Sequence, residues 1–403
     1  MKSNSKPIAI ELFSGAGGLS IGLEEAGFEI VLANEIDKYF AKSFELNHLN
    51  TKLICDDIHN IDFQNELQTL GVTQVDLVSG GPPCQGFSTL GSKNKQDPRN
   101  SLFYEYLRAV NEIKPSYIIF ENVSGFKTMY GGTVYRTLVD ELDNLGYDIA
   151  ASVLESSNFG LPQIRKRTIV VGWKKHLKKV HLPEPTHCNR NSLFNLAQKL
   201  TLMDAISDLP ELGANDNKEA YKTNPKNEYQ LQLRGNNTEK LTEHNSANYG
   251  EKMREILSLI PAGGTVNDLP ERLRPKGYFS NTYARLLPNQ PAPTITRNFG
   301  TPSSSRCVHP FQNRALSTRE GARLQGFPDD YVFYGSKCSK NLQIGNAVPP
   351  IFGAVIAKEI IKSMNSEVTI RDSAKRHKMV PDFRTFFSKP PPEQGLLKNR
   401  GTT

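Results

Sequence analysis

Cysteine is scarce in this chain, and what there is lies scattered. The 403 residues hold five, Cys55, Cys84, Cys188, Cys307 and Cys338, and no two stand in a C-x-x-C pair. An odd, dispersed set builds neither a disulfide framework nor a structural zinc site, so no metal is expected. No run approaches the roughly 20 apolar residues that span a bilayer. The N-terminus, MKSNSKPIAIELFSGAGG, lacks the small-residue cleavage site of a signal peptide. These absences exclude a membrane partner and predict a cytoplasmic protein, expected to be a monomer. Negative charge is short in two places. Lys174 to Arg306 carries 19 basic and 13 acidic residues, and Ser366 to Thr403 carries 8 and 4, whereas the rest of the chain is slightly acidic. A basic segment on a near-neutral body points to a polyanion partner.

Residues 1–173 alternate between short β-branched runs and helix-like stretches. The runs are IAIELF, EIVLAN, KLIC, VDLVSG, SYIIFENV and RTIVVGW. LSIGLEEAG places Leu19, Leu23 and Ala26 on one face and stops at Gly27. SLFYEYLRAVNEI places Leu102, Phe103, Tyr106, Leu107, Val110 and Ile113 at helical spacing before Pro115. The fold class is therefore α/β, doubly wound around a mostly parallel sheet. Over 174–306 the alternation fades into Pro-, Gly- and Asn-rich sequence, read as a second, irregular domain, with GNNTEKLTEHNSANYGEKM as loop. Regularity returns over 307–365, where VPPIFGAVIAKEIIKSM shows an apolar helical face. The basic stretch 366–403 reads as a loosely ordered tail.

In open parallel sheets, ligands bind beyond the carboxyl ends of the strands. Here those ends carry FSGAGGLS, Asn34-Glu35, Asp56-Asp57, a Pro-Pro-Cys turn and Glu121-Asn122. The first loop reads G-x-G-x-x-S (Gly15, Gly17, Ser20), without the third glycine of the dinucleotide fingerprint. Glu35 follows Gly15 at the spacing of an acid that binds ribose hydroxyls. A second acid, Asp56 or Asp57, suits an adenine amino group, so an adenosine cofactor without a pyrophosphate is expected. Cys84 sits on a stiff Gly-Pro-Pro pedestal. Only roughly 3% of an ordinary thiol is thiolate at pH 7, but that thiolate is a soft, strong nucleophile suited to conjugate addition to an electron-poor ring. Glu121, on the neighbouring strand end, is placed to protonate such a ring.

Gly-Pro-Pro-Cys-Gln, Glu-Asn-Val and Gln-x-Arg-x-Arg (Gln163, Arg165, Arg167) resemble the cytosine-C5 DNA methyltransferase family. FSGAGGLS resembles its S-adenosylmethionine loop; REGARLQGFPDDY and QIGNAVPP resemble its two late motifs. The resemblance covers about 8–172 and 293–361, with 174–306 where the family carries its target recognition domain. It implies S-adenosylmethionine as cofactor, double-stranded DNA as partner and a cytosine flipped out of the duplex. Cys84 would attack C6, Glu121 would donate to N3, and Arg165 and Arg167 would bind O2 and orient the Cys84 loop. Phe13 would stack on adenine, and the amides of Ser14, Gly15, Ala16, Gly17, Gly18 and Leu19 would hold the methionine part. Glu35, beside Ile36, would bind the ribose. Asp57 rather than Asp56 would take the adenine amine, because it precedes Ile58. Pro82, Leu102, Asn346 and Ala347 would complete the pocket. Gln85 to Arg99, with Gly86 and Gly91 as hinges, resembles the loop that closes on DNA, so Gln85, Ser88 and Arg99 are expected DNA contacts, as are Thr294 and Ile295 in PTIT. The stand-alone layout implies a bacterial restriction–modification enzyme. The alternatives are a catalytically inactive DNA-binding member, or the tRNA-modifying branch, whose Cys-Phe-Thr element is not found here.

Overall fold

The apolar runs become a twisted sheet. Ile8–Leu12 (β1), Glu29–Asn34 (β2), Lys52–Ile54 (β3), Leu77–Gly80 (β4) and Tyr117–Val123 (β5) are parallel. Tyr147–Glu155 (β6), the two-residue Gln163–Ile164 (β7) and Lys166–Lys174 (β8) follow. The spatial order is β3-β2-β1-β4-β5-β8-β6, with β8 antiparallel to both neighbours. The computed structural model describes residues 6–83, 101–189, 196–235, 240–304 and 306–366; Cys84, Gln85, Ser88, Arg99 and the tail beyond Ser366 lie outside them.

Successive side chains of a strand point to opposite faces, and both faces of this sheet are covered, so its strands read as continuous apolar runs. Ile10, Leu12, Val78, Ile118 and Phe120 pack on one side with Phe63–Thr69 (α3), Ser101–Ile113 (α4) and Thr133–Asn144 (α5). Ala9, Leu77, Tyr117 and Ile119 pack on the other side, where Gly18–Glu25 (α1) contributes Leu19 and Leu23. Lys38–Asn47 (α2) follows β2. This is the expected doubly wound α/β arrangement. The chain leaves β1 towards β2 and β3 and then crosses back to β4, so the sheet's switch point lies between β1 and β4.

The middle of the chain is short elements joined by long loops: His187–Cys188 (β9), Ala197–Gln198 (β10), Leu202–Ile206 (α6), Glu228–Arg234 (α7), Glu251–Leu259 (α8) and Ala292–Pro293 (β11). Because α8 begins at Glu251, the last three residues of GNNTEKLTEHNSANYGEKM are helical rather than loop. A small core of Ile256, Ile260, Val266, Leu269, Leu273 and Tyr283 stands by itself. Leu202, Ile206, Leu209, Leu241, Leu286 and Phe299, by contrast, share a core with Leu324 and Phe327 of the late motifs.

The late motifs form Thr318–Gln325 (α9), Lys337–Asn346 (α10) and Pro350–Asn365 (α11). The stretch Lys337–Asn365 is long and apolar enough, by composition, to cross a bilayer. That apolar character serves the core instead: Phe352, Ile356 and Ile360 of α11 pack with Leu19 and Leu23 of α1 against the sheet.

Candidate active site

A cavity of about 400 Å³ opens at the carboxyl ends of β1 to β5, at the switch point. Of the residues expected to hold the cofactor, Phe13, Ser14, Gly15, Ala16, Leu19, Glu35, Ile36, Asp57, Ile58, Pro82, Leu102, Asn346 and Ala347 line it. Glu121, Arg165 and Arg167 line the same cavity. Gly17 and Gly18 do not, and Asp56 is likewise absent from the lining.

The loop after β1 is built to bring backbone to the cavity. Phe13 adopts a left-handed φ of 55°, which costs a non-glycine residue about 1–2 kcal/mol and turns the chain sharply at the strand end. Ser14 N–H donates to the Asn34 carbonyl at 3.0 Å, tying the loop to β2. Gly17 serves the wall from behind. Its φ is 85°, and a Cβ there would meet His48 Nε2 at 2.4 Å and the Tyr331 hydroxyl at 2.6 Å. Glu35 accepts the Gly15 N–H at 2.8 Å and the Asp37 N–H at 2.8 Å. Burial pushes the Glu35 carboxyl upward, against those two bonds. Asp57 accepts from the His59 amide at 3.0 Å and lies 2.6 Å from His59 Nδ1, which holds it below the usual carboxylate range.

One residue of this wall was missed in the sequence. Glu11 is 2% exposed, lines the cavity and accepts from the Ser20 hydroxyl, so the serine at the place of the missing third glycine serves as its partner. The available signal was an acid inside the otherwise apolar run IAIELF. Burial pushes Glu11 up to about 8. An acid raised on folding contributes stability below its unfolded value and loses it as pH rises through the folded one. Glu11→Gln should therefore melt increasingly above the wild type from about pH 4.5 to pH 8, by up to about 5 kcal/mol, and by a constant margin beyond. Parallel melting curves across that range would show that Glu11 is already ionised in the fold.

The other end of the cavity is a carboxyl–guanidinium pair. Arg167 Nε lies 2.8 Å from Glu121 Oε1, and Glu121 is 8% exposed. Burial raises the Glu121 carboxyl, and Arg167 and Arg165 pull the other way. The pair fits tightly under the β4 turn: a Cβ on Gly81 would come within 2.8 Å of Glu121 Oε2. Asn122 Nδ2 donates to the Pro82 carbonyl at 3.1 Å, so the end of β5 fixes the Pro82-Pro83 pedestal that leads to position 84.

Arg165 is 1% exposed and committed to backbone. It donates to the carbonyls of Ile295, Gly345 and Ala347, each at 3.0 Å. Its Nε has no hydrogen-bond partner among the described residues. Gln163 adds to this junction, donating to the Leu324 carbonyl at 2.8 Å and accepting the Ile295 N–H at 2.8 Å. Thr294 donates its hydroxyl to the Ile164 carbonyl at 2.8 Å. Thr294 and Ile295 thus lie against β7 and Arg165, outside the cavity lining. Gln-x-Arg-x-Arg and PTIT are two halves of one joint, far apart in sequence and held by a buried guanidinium. Among the described residues, no group of three His, Cys, Asp or Glu side chains is arranged to hold a metal ion.

The family profile for C-5 cytosine-specific DNA methylase matches residues 8–362. The chain is 34% identical over 361 residues to the type II methyltransferase M1.HphI of Haemophilus parahaemolyticus, covering 89% of this chain and 87% of that one. It is 33% identical over 389 residues to M.DdeI of Desulfomicrobium norvegicum, covering 90% and 91%. Among solved structures, one described as a DNA modification methyltransferase encoded within a prophage (E. coli) superposes with a TM-score of 0.73 at 27% identity, over 89% of this chain and all of that one. The S. pombe Dnmt2 methyltransferase shares the fold, with a TM-score of 0.55 at 17% identity over 90% of this chain. With the matched profile spanning every strand of the sheet and running into the last of the late helices, the chain belongs to the C-5 cytosine-specific DNA methylase family, and its activity is the methylation of cytosine at C5 in DNA.

Proposed function

We propose that the cavity holds S-adenosylmethionine at its acidic end and a flipped cytosine at the Glu121–Arg167 end, and that Cys84 is the nucleophile. The observation that carries this reading is the polarity of the cavity. Glu11, Glu35 and Asp57 line one part, and Arg165, Arg167 and Glu121 line the other. The residues fit the cofactor. Glu35 and Asp57 suit two ribose hydroxyls and an adenine amine, and the loop after β1 has Ser20 where a pyrophosphate-binding loop has its third glycine. Glu35 would hold the ribose, Asp57 the adenine amine, and Phe13 the adenine face. When bound, the cofactor supplies an electrophilic methyl group.

The chain's own residues prepare the base. The Cys84 thiolate forms a bond to C6, and Glu121 gives its proton to N3, so the negative charge pushed into the ring is neutralised as it forms. Burial keeps the Glu121 carboxyl protonated closer to neutrality than an exposed glutamate, and Arg167 fixes its orientation. C5 thereby becomes nucleophilic. After methylation a base takes the C5 proton, the C6–sulfur bond breaks to return the thiolate, and N3 gives its proton back to Glu121. Arg165 is a positioning residue here, because its guanidinium holds the PTIT segment and the Gly345–Ala347 wall together.

The type II relatives support a role in a restriction–modification system, where the mark protects host DNA. Bisulfite sequencing of DNA from a host expressing the chain should show 5-methylcytosine at one short recurrent sequence. A soluble protein that leaves DNA unmarked but methylates tRNA would overturn this reading. Glu35→Ala tests the cofactor end. Hydrogen bonds to a charged group are worth about 1.5–3 kcal/mol, so calorimetry should show cofactor affinity down roughly 10–100-fold, with DNA affinity nearly unchanged. Equal losses in both would assign Glu35 only to bracing Gly15 and Asp37.

A further inference from the structure

The segment between Glu271 and Glu320 contains no carboxylate side chain at all, yet it carries Arg272, Arg274, Lys276, Arg285, Arg297, Arg306, Arg314 and Arg319. At its outer end Lys276 to Asn281 are all exposed, and within them lie Tyr278, 43% exposed, and Phe279, 80% exposed. A bare phenyl ring four residues from Tyr283, a member of a small apolar core, is unusual, because packing it there would remove it from water. The chain beneath the tip is firmly fixed. Thr282 N–H donates to the Phe279 carbonyl at 2.9 Å, Val266 N–H donates to the Thr282 carbonyl at 2.9 Å, and Tyr283 turns the chain with a φ of 57°. Arg285, 6% exposed, donates to the carbonyls of Ile260 at 2.7 Å, His309 at 2.8 Å and Gln312 at 3.0 Å, to Asn313 Oδ1 at 2.8 Å, and to the Leu257 carbonyl. Ten residues further on, the same run forms the joint at Ile295 that Arg165 holds.

We propose that Tyr278 and Phe279 form an aromatic wedge that stacks on bases of the duplex beside the target cytosine. This rests on the DNA-methylating function above. Lys276, exposed on this run, brings phosphate to the tip, because each neutralised phosphate releases counterions. Arg272 and Arg274 brace the base of the run instead, on Glu255 and on the carbonyls of Leu269 and Asn267. Phosphate contact alone would need no apolar ring. A rigid, exposed aromatic on a carboxylate-free run matches the side chains that enter base steps which a protein has opened. Taking a cytosine out of the stack creates such a step.

The chain has a single tryptophan, Trp173, 4% exposed, so an indole placed at the tip is a clean reporter. The full-length Phe279→Trp variant should show a new, water-exposed emission that falls by more than about half on titration with plasmid DNA that the wild type methylates, because bases stacked on the indole quench it. Phe279→Ala should raise KM for the same plasmid about 10-fold or more, with cofactor affinity unchanged. The substitution is at the surface, so the variant folds. If the wild type methylates the plasmid while the Phe279→Trp emission ignores bound DNA and Phe279→Ala keeps the wild-type KM, the wedge is wrong and the methyltransferase reading stands. A wild type that dimerises without DNA, and a Phe279→Ala variant that does not, would assign the tip to a second copy of the chain and overturn the wedge. A folded wild type that neither binds nor methylates the plasmid would remove the parent reading and the wedge together.

Discussion

Cys84→Ser should abolish methyl transfer, lowering turnover by more than about 10⁴-fold, the order of loss that follows removal of a nucleophile. A hydroxyl at this position is far less acidic than a thiol and far less polarisable, so the C6 bond would not form at neutral pH. The surrounding site would persist. The Pro82 carbonyl is still held by Asn122, and Arg167 still pairs with Glu121. Cofactor affinity, measured by calorimetry, should therefore stay within a few-fold of the wild type. A serine variant that still methylates DNA at an appreciable rate would remove the covalent route.

The second large effect is on stability. Asp208 and Arg323 are both fully buried, with Arg323 Nη1 2.5 Å from Asp208 Oδ1. Arg323 also reaches Asp329 at 2.5 Å, and Asp208 takes a second guanidinium from Arg234. Tyr221 closes the network with its hydroxyl 2.8 Å from Asp329 Oδ2. The network ties α9 to α7 and to the turn after α6, across the core shared by the late motifs and the middle of the chain. Asp208→Asn would leave two buried guanidiniums short of countercharge, at a cost of about 3–5 kcal/mol. Tm should fall on the order of 5 °C in a chain of this length. Asp143→Asn, which removes only the exposed pair with Lys175, should melt within about 1 °C of the wild type. Equal shifts for the two variants would contradict the clamp. The same network limits how the recognition segment can be exchanged. A chimera replacing all of 174–298 keeps its fold only if the donor supplies the counterpart of Asp208.

Much of this was legible in the sequence because it depends on local pattern. Strands buried on both faces must be apolar throughout, so β1, β2, β4, β5 and β8 stood out, and the polar residues at their ends marked the cavity. β6, one of the two edge strands of the sheet, was missed. Its residues YDIAASVLE are half exposed and carry Asp148 and Ser152, so they show no apolar run. The role of Arg165 was equally hidden. A guanidinium in Gln-x-Arg-x-Arg reads as a substrate contact, and only the fold reveals that Ile295, Gly345 and Ala347 bring their carbonyls to it from 130 to 182 residues away. Gly17 and Gly18 are expected for the amides of their loop, and only the fold adds that their missing side chains make room for His48, Tyr331 and the Val348 carbonyl. The buried ion network left no sequence signal, because Asp208, Arg234, Arg323 and Asp329 show nothing of their pairing until the chain is folded.

Elimination from the methylated base needs the C5 proton, so fluorine at C5 should stall the reaction with the enzyme still attached. The direct measurement is to incubate the active protein and S-adenosylmethionine with plasmid-derived DNA in which cytosine is replaced by 5-fluorocytosine, denature it, and map the attached peptide by mass spectrometry. The expected result is a cofactor-dependent, denaturation-stable protein–DNA adduct at Cys84, absent from Cys84→Ser. An enzyme that methylates ordinary DNA yet forms no such adduct, or forms it through another residue, would contradict the account.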